Sequence, residues 1–537
     1  MSHQQDITPL PVLGSHSQIA MEGLAQNKDT DKNQNKNMGG EIEKYQSPEE
    51  NGSAQVDVEE ITQKAKLSDY FTLLATGFAL VSDGYQNNLA TVFNPIFKII
   101  YASYYTSSVS TRVSNSLLIG EIIGQVGVGL ICDLIGRKTA MVATTMLIVV
   151  GGILATASSG STPAGLLWML TVSRGMVGVG VGGEYPACST SASESANEKF
   201  GRDRGKVFIL VTNLMLSIGG PIVISIFLLI INAAGYKGTT SAEDIYKLKY
   251  TWRICMGVGV LIPLSVFYFR LKMMNSKLYR RNAIRHSPPY GLILRRYWRT
   301  LLGTAGTWFL YDFVTFPNGI FSSTIISGVI PGAGLVKTME WTLLLSVLSL
   351  PGVFLGAWVL DGLDSTGRRN LLMMGFSGYI IFGLIVGCSY EKITKIIPLF
   401  IVFYAFMQSS GNFGPGNMEG TISAESYPTS IRGTCYGFSA AVGKAGAAIG
   451  TQCFTPIQNH LGKKYTFIIA ACCGALGVLL AYFFVEDKGK DRLEKEDELW
   501  RQYLVDHGKG DVVMGDGSSE NRAAVGNAEK GELSFEE

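Results

Sequence analysis

From residue 70 onward the apolar positions of this chain fall into long unbroken runs that recur at near-regular intervals. In the first half they cover 70–98, 114–132, 138–158, 163–188, 206–233 and 252–270; in the second, 300–330, 341–361, 371–389, 396–413, 434–456 and 464–485. Each approaches the ~20 residues that an α-helix needs to cross ~30 Å of hydrocarbon. Barrel strands would be shorter and would alternate, so the pattern predicts an all-α membrane protein of twelve transmembrane helices.

The polar stretches set the boundaries. Residues 1–66 are rich in Asn, Gln, Asp, Glu and Ser, lack a basic start followed by a short apolar core, and read as a disordered cytosolic leader without a cleaved signal. The tail, 487–537, opens with a charged stretch and closes rich in Gly and Ser. It too is expected to be mostly disordered, with a short helix possible around Leu493 to Leu504. Two six-helix halves, 67–271 and 299–486, flank a central loop, 272–298. From Arg270 to Arg299 the chain holds nine basic and no acidic residues, which places this loop and both termini in the cytosol. Most of these charges read as contacts to lipid headgroups.

Composition agrees with the membrane class: 47% of residues are hydrophobic, 16% are charged, and the mean hydropathy is +0.22. Forty-five basic residues nearly balance 43 acidic ones, which gives no reason to expect nucleic acid as a partner. The eight cysteines fall in or beside apolar runs without a CxxC pair and read as small hydrophobes. The five histidines lie outside the helix interiors, which argues against a histidine metal site or nucleophile relay; no cofactor is expected.

The chain repeats itself. Asp133, Gly136 and Arg137 close the second run in a D-x-x-G-R-[KR] pattern, and Asp364, Gly367 and Arg368 close the eighth. Glu194 in SASES and Glu425 in ISAES each precede an Arg-Gly pair, at Arg204 and Arg432. Both motifs recur at the same offset of 231 residues, which marks a parallel internal repeat. The tight turn calls for Gly, the Asp can face the N-terminus of a neighbouring helix, and the Arg can pair with a cytosolic carboxylate, an arrangement suited to a latch. With twelve helices and a basic central loop, these motifs resemble the major facilitator superfamily. That resemblance implies two halves rocking about a midplane site.

Six ionisable residues lie within apolar stretches: Asp83, Glu121, Arg174, Glu184, Asp312 and Lys444. Each costs at least ~2.5 kcal/mol at the bilayer centre, so they are expected to face one another or a watery cavity. Trp308 and Asp312, four apart, fall on one helix face.

The sugar-porter signature expected after the sixth helix is absent, where the chain reads YFRLKMMNSKLY. Instead GVGVGGEYP, TWFLYDFVTFPNGIFSS, GNFGPGNMEGTISAESYPTSIRG and SAAVGKAGAAIG resemble the phosphate:proton symporters. SDGYQNN, TRVSNSLLIG, DFVTFPNGIFSSTIIS and FSGYIIFGLIVGCSY resemble, within that group, the yeast glycerophosphoinositol and glycerophosphocholine permeases. The resemblance implies that Glu184, Tyr185, Trp308, Asp312 and Lys444 surround the substrate phosphate, with Lys444 as anchor. Asp312 or Glu184 would take a proton from outside, and Asp83 and Arg174 would belong to the proton route. Arg174 would hold the charge of Glu184 or of Asp83.

Departures from the symporter pattern bear on the substrate. Phe316 stands where a phosphate-contacting tyrosine is usual, Thr144 where a glutamate is, and Gly416 where an asparagine is, with Asn417 one step on. Glu121 is a candidate replacement for the missing glutamate. The family's phosphate-contacting glutamine aligns near Thr212 or Asn213, with Asn213 favoured. Retained charges and altered neutral positions suit a bulkier phosphodiester. The expected function is proton-coupled uptake of glycerophosphoinositol or glycerophosphocholine across the plasma membrane, with lipid bilayer and protons as the other partners. An inorganic phosphate symporter, a transporter-like receptor and a membrane hydrolase are the competing readings, the last disfavoured by the lack of a paired nucleophile and base. Tyr311, Phe313, Phe316 and Tyr404 could form an aromatic cradle for a choline headgroup, whereas inositol would need hydroxyl partners.

Overall fold

The computed structural model describes residues 67–200, 203–272, 279, 288–330, 332, 334–362, 367–486 and 492–509. The leader, Asp364 and much of the central loop lie outside the described residues. Helices cover all twelve apolar segments. The first repeat holds α1 (Leu67–Ile100), α2 (Ser107–Ile135), α3 (Arg137–Thr156), α4 (Pro163–Phe200), α5 (Arg204–Val211), α6 (Asn213–Ala233) and α7 (Ala242–Lys272). The second holds α8 (Tyr290–Ile320), α9 (Ser322–Ser327), α10 (Leu335–Ser349), α11 (Pro351–Gly362), α12 (Arg368–Cys388), α13 (Tyr390–Ile393), α14 (Ile397–Gly411), α15 (Asn417–Glu425), α16 (Arg432–His460) and α17 (Lys464–Phe484). A last helix, α18 (Arg492–Asp506), follows.

The repeat seen in the motifs recurs in the packing. In the first repeat α1 packs on α6 and α7, α2 on α4, and α3 on α4 and α7; in the second, α8 packs on α16 and α17, α10 on α14, and α12 on α14 and α17. Across the repeats α2 meets α16, α6 meets α10 and α5 meets α11. Small residues permit the closest of these contacts. A Cβ on Gly178 of α4 would sit 2.1 Å from the Leu117 carbonyl oxygen of α2, so the two backbones touch only because no side chain intervenes.

Eight helical segments among the described residues are long and apolar enough to cross a membrane. Their outer faces carry exposed large apolar side chains such as Ile119, Ile123, Met146, Val172, Leu229 and Leu261, a distribution that water would penalise and lipid tails would not.

Several helices differ from the apolar runs that announced them. α8 begins at Tyr290, inside the stretch read as loop, because Arg295, Arg296 and Arg299 end an apolar run but not a helix. The tenth segment continues through a π-helical stretch, Asn412–Gly416, around Pro415 into α15, well beyond the apolar run. Gly136 turns the chain from α2 into α3 at φ 97°, a region that favours glycine, whereas Gly367 sits at φ −75°, so the second copy of the motif needs no glycine geometry at that position.

The short helix read around Leu493 to Leu504 is present as α18, Arg492–Asp506, and it packs on the bundle. Trp500 and Leu504 of α18 are buried against Ile293 and Tyr297 of α8 and against Tyr427, Ile431 and Cys435. Asp497 accepts hydrogen bonds from the Thr429 backbone N–H and hydroxyl, and Glu496 accepts one from the Tyr297 hydroxyl at 2.7 Å. Burial pushes the Asp497 carboxyl above the ordinary carboxylate range, against the pull of Arg432 and of the Thr429 hydrogen bonds. The polar surface of α18 masked an apolar stripe that meets a partner only in the folded chain.

Candidate substrate cavity and its two charged clusters

A cavity of about 230 Å³ opens between the repeats. Its walls come from α1 (Asn87, Asn88, Thr91), α6 (Asn213, Ser217), α8 (Trp308, Asp312, Thr315, Phe316) and α10 (Ser346, Ser349), closed by Gln408, Asn412, Gly416 and Glu419 and by Lys444 from α16. Tyr185 of α4 and Tyr311 of α8 also line it, as do apolar side chains such as Leu216, Ile224, Ile320 and Leu345.

Lys444 is 2% exposed and is the cation about which this site is arranged. Its Nζ donates to Asp312 Oδ2 at 2.9 Å and lies 3.9 Å from Glu121 Oε2, so carboxylates from both repeats converge on one ammonium. The amino group also lies 3.9 Å above the Phe316 ring centre and 5.1 Å from that of Tyr185. Trp308 and Asp312 share the cavity-facing side of α8, and Trp308 meets Tyr436 edge-on at 5.5 Å. Asn213 lines the cavity and donates to Asn417 Oδ1 at 2.7 Å; Asn417 is itself buried behind the wall and donates to the Val353 carbonyl. Of the aromatic cradle, Tyr311 and Phe316 face the cavity. Phe313 packs instead against Phe309 and Phe454, and Tyr404 donates to the Asn318 carbonyl, both away from it.

Glu184 is not among the lining residues. It receives two hydrogen bonds from Arg270 of α7, one of them at 3.0 Å to Oε2, and a third from the Thr145 hydroxyl at 3.3 Å. The expectation that Arg174 holds Glu184 is therefore corrected: Arg270, read from sequence as a cytosolic loop charge, is 1% exposed and does so. Arg174 instead lies 4.8 Å over the Phe93 ring, with Tyr105 and Glu121 as its charged or ionisable neighbours. Asp83 is fully buried with neither carboxylate oxygen hydrogen-bonded, and its charged neighbours are Glu184, Arg270 and Glu121. Six ionisable residues thus form two linked groups rather than one, and Arg270 joins them.

Glu419 escaped the sequence reading although it lies within the stretch that carried the resemblance. Gln408, Asn412, Gly416 and Glu419 recur at spacings of four, four and three, one helix face. That signal was legible once the tenth helix was known to run past its apolar part.

The second cluster lies where the repeated motifs meet. Asp133 accepts hydrogen bonds from the backbone N–H groups of Gly433 and Thr434 at 3.0 and 2.6 Å, capping the N-terminus of α16 in the other repeat. Arg137 donates to Asp133, to Glu194 at 3.3 Å and to the Thr429 carbonyl. Glu194 also accepts from Arg432 at 3.2 Å. The companion carboxylate Glu425 accepts from Arg368 and pairs with Arg204 at 3.3 Å. Each glutamate therefore holds one arginine from its own repeat and one from the other.

Comparison with known proteins places this arrangement. The sequence profile of the "Sugar (and other) transporter" family matches residues 70–288 and 282–500. The chain is 52% identical over 446 residues to glycerophosphoinositol permease 1 of Candida albicans, covering 82% of this chain and 83% of that one. It is 49% identical over 451 residues to glycerophosphoinositol transporter 1 of Saccharomyces cerevisiae, covering 84% and 85%. Among solved structures, the proton:xylose symporter XylE of E. coli, bound to a bromodeoxyglucose, superposes with a TM-score of 0.67 at 16% identity, over 81% of this chain and 99% of its own, a likeness of fold. The chain is a multi-pass membrane transporter that belongs to the Sugar (and other) transporter family and has the fold of the major facilitator superfamily.

Proposed function

We propose that this protein carries glycerophosphodiesters inward across the plasma membrane together with protons. All twelve segments span the membrane, both termini are cytosolic, and the halves 67–271 and 299–486 rock about the cavity. The observation that carries the reading is the Lys444–Asp312 pair at 2.9 Å inside a cavity whose lining is otherwise uncharged except for Glu419, in a chain about half identical to two fungal glycerophosphoinositol carriers.

The chemistry of that pair supplies the coupling. While Asp312 is ionised it occupies Lys444 and repels an incoming anion. A proton on Asp312 Oδ2 removes both obstacles, leaving Lys444 free to donate to a phosphate oxygen. Tyr185 and Trp308 then offer neutral donors to the remaining oxygens, and Asn213 a further one. When the cavity opens to the cytosol, loss of the proton restores the Lys444–Asp312 pair and expels the anion. Glu121, the second carboxylate near Lys444, has Arg174 among its charged neighbours, and Asp83 has Glu121, Glu184 and Arg270 among its own. Asp312, Glu121, Arg174, Asp83 and Glu184 form the proposed proton route. Asp133, Arg137, Glu194, Arg204, Glu425, Arg368 and Arg432 form the cytosolic latch that must part for release.

Phe316 leaves an apolar wall in the cavity, which favours a diester over inorganic phosphate; at Gly416 the Tyr311 hydroxyl takes the space, 2.8 Å from where a Cβ would stand. The test is uptake of doubly labelled glycerophosphoinositol by proteoliposomes with and without an inward proton gradient, with phosphate as competitor. Gradient-driven entry of the intact diester is expected. Good phosphate entry without diester entry would make this a phosphate symporter.

A further inference from the structure

Glu419 is 3% exposed, lines the cavity, and has neither carboxylate oxygen within hydrogen-bonding distance of a protein donor among the described residues. Of the neighbouring carboxyls, Asp312 lines the cavity but is engaged by Lys444, and Glu121, likewise without a hydrogen-bond partner among the described residues, sits behind the lining at 3.9 Å from the same ammonium. A buried carboxyl without partners is costly, and such a group on a cavity wall points to partners that the ligand brings. Ionised, Glu419 repels phosphate, so the partners of its carboxylate are neutral or cationic donors.

The surroundings narrow the choice. Ser346, Ser349, Gln408, Asn412 and Thr315 also line the cavity, all hydroxyls and amides that both donate and accept. A quaternary ammonium would seek aromatic faces, but the Phe316 and Tyr185 rings already have the Lys444 ammonium 3.9 and 5.1 Å from their centres, Tyr311 stacks on Tyr379, Trp308 meets Tyr436, and Phe313 and Tyr404 face elsewhere. Adjacent hydroxyls on a ring fit better, since two neighbouring O–H groups can donate to the two oxygens of one carboxylate.

Resting on the function proposed above, we infer that Glu419 is the specificity-determining residue for the headgroup, its carboxylate accepting hydrogen bonds from a polyol while the phosphate of the same molecule sits at Lys444. Cation at one place and carboxylate at another orient the diester, since reversal would set phosphate against Glu419 and leave Lys444 without an anion.

The test compares wild type, E419Q and E419D full-length protein in proteoliposomes under one fixed proton gradient. Three probes are used: labelled glycerophosphoinositol, labelled glycerophosphocholine and labelled inorganic phosphate. A site built around a ligand hydroxyl discriminates strongly, so E419Q is expected to raise the KM for the inositol diester by about tenfold or more while moving that for phosphate by less than about twofold. E419D, which keeps the charge but withdraws it by one methylene, should fall between. If E419Q does not reach the membrane, the same ratio is read from E419D. Equal loss for all three probes would overturn the inference in favour of a proton-carrying or purely structural role, and selective loss of the choline diester would overturn it in favour of an ammonium site. A wild type that admits phosphate but neither diester would sink the function proposed above together with this inference. Diester uptake by the wild type with unselective mutants would sink the inference alone.

Discussion

At the scale of single residues, buried charge decides what each substitution costs. Removing Lys444 leaves Asp312 and Glu121 facing each other without a cation, so Lys444→Gln is expected to cost ~3–5 kcal/mol and to abolish uptake. Adding Asp312→Asn should recover most of the thermal stability in detergent without restoring transport, which separates the structural from the functional part of the pair. Arg270 makes a parallel case away from the cavity. Arg270→Ala strands Glu184 beside the unpartnered Asp83, at ~3–5 kcal/mol, and Glu184→Gln in the same background should return most of it, read as the melting temperature. Glu121→Gln removes a candidate proton carrier that receives no hydrogen bond from Lys444 at 3.9 Å, so its expected signature is a loss of gradient-driven uptake with counterflow exchange retained. Normal gradient-driven uptake in that variant would take Glu121 out of the proton route.

At the scale of elements, α18 is the piece whose behaviour is least expected from its composition. Its Asp497 bonds the backbone of Thr429, the same residue whose carbonyl receives Arg137, so the helix braces the loop before α16 beside the motif cluster. Trp500 buries Cys435, which offers a reporter. In a background where Cys435 is the sole cysteine, Trp500→Ala should make its thiol several-fold more reactive toward a maleimide added to the cytosolic face. Unchanged reactivity would mean that α18 does not hold that surface in the membrane. The legibility of this element was partial for a clear reason. Arg, Glu and Asp dominate α18, and an apolar stripe of Trp500 and Leu504 on so polar a helix carries no message until α8 and the loop before α16 supply the surface it covers.

At the scale of the whole molecule, the crossed pairing of Glu194 and Glu425 ties the two repeats at one end. Glu194→Gln with Glu425→Gln should lengthen the distance between spin labels at Thr139 and Asn370, placed at the starts of α3 and α12, and should shift the population toward a cytosol-open state. Equal distance distributions in mutant and wild type would show that these carboxylates do not hold the latch. The sequence by itself determined much of this: the number and order of apolar segments, the internal repeat at a constant offset, and the motifs that repeat carries, because spanning length, helical periodicity and turn chemistry are local properties of a chain. It also marked Asp312 and Lys444, since charge inside an apolar run is anomalous without reference to anything else, and Trp308 through its spacing of four from Asp312. Which charge meets which was decided by tertiary structure. Glu184 is ten residues from Arg174 along α4 yet pairs with Arg270, 86 residues away, and Glu419 faces the cavity while Asn417 is buried behind it. Packing rotates each helix to hide its small residues against a neighbour, and that rotation, which no local pattern encodes, sets whether a side chain ends in the cavity, in an ion pair or against the wall.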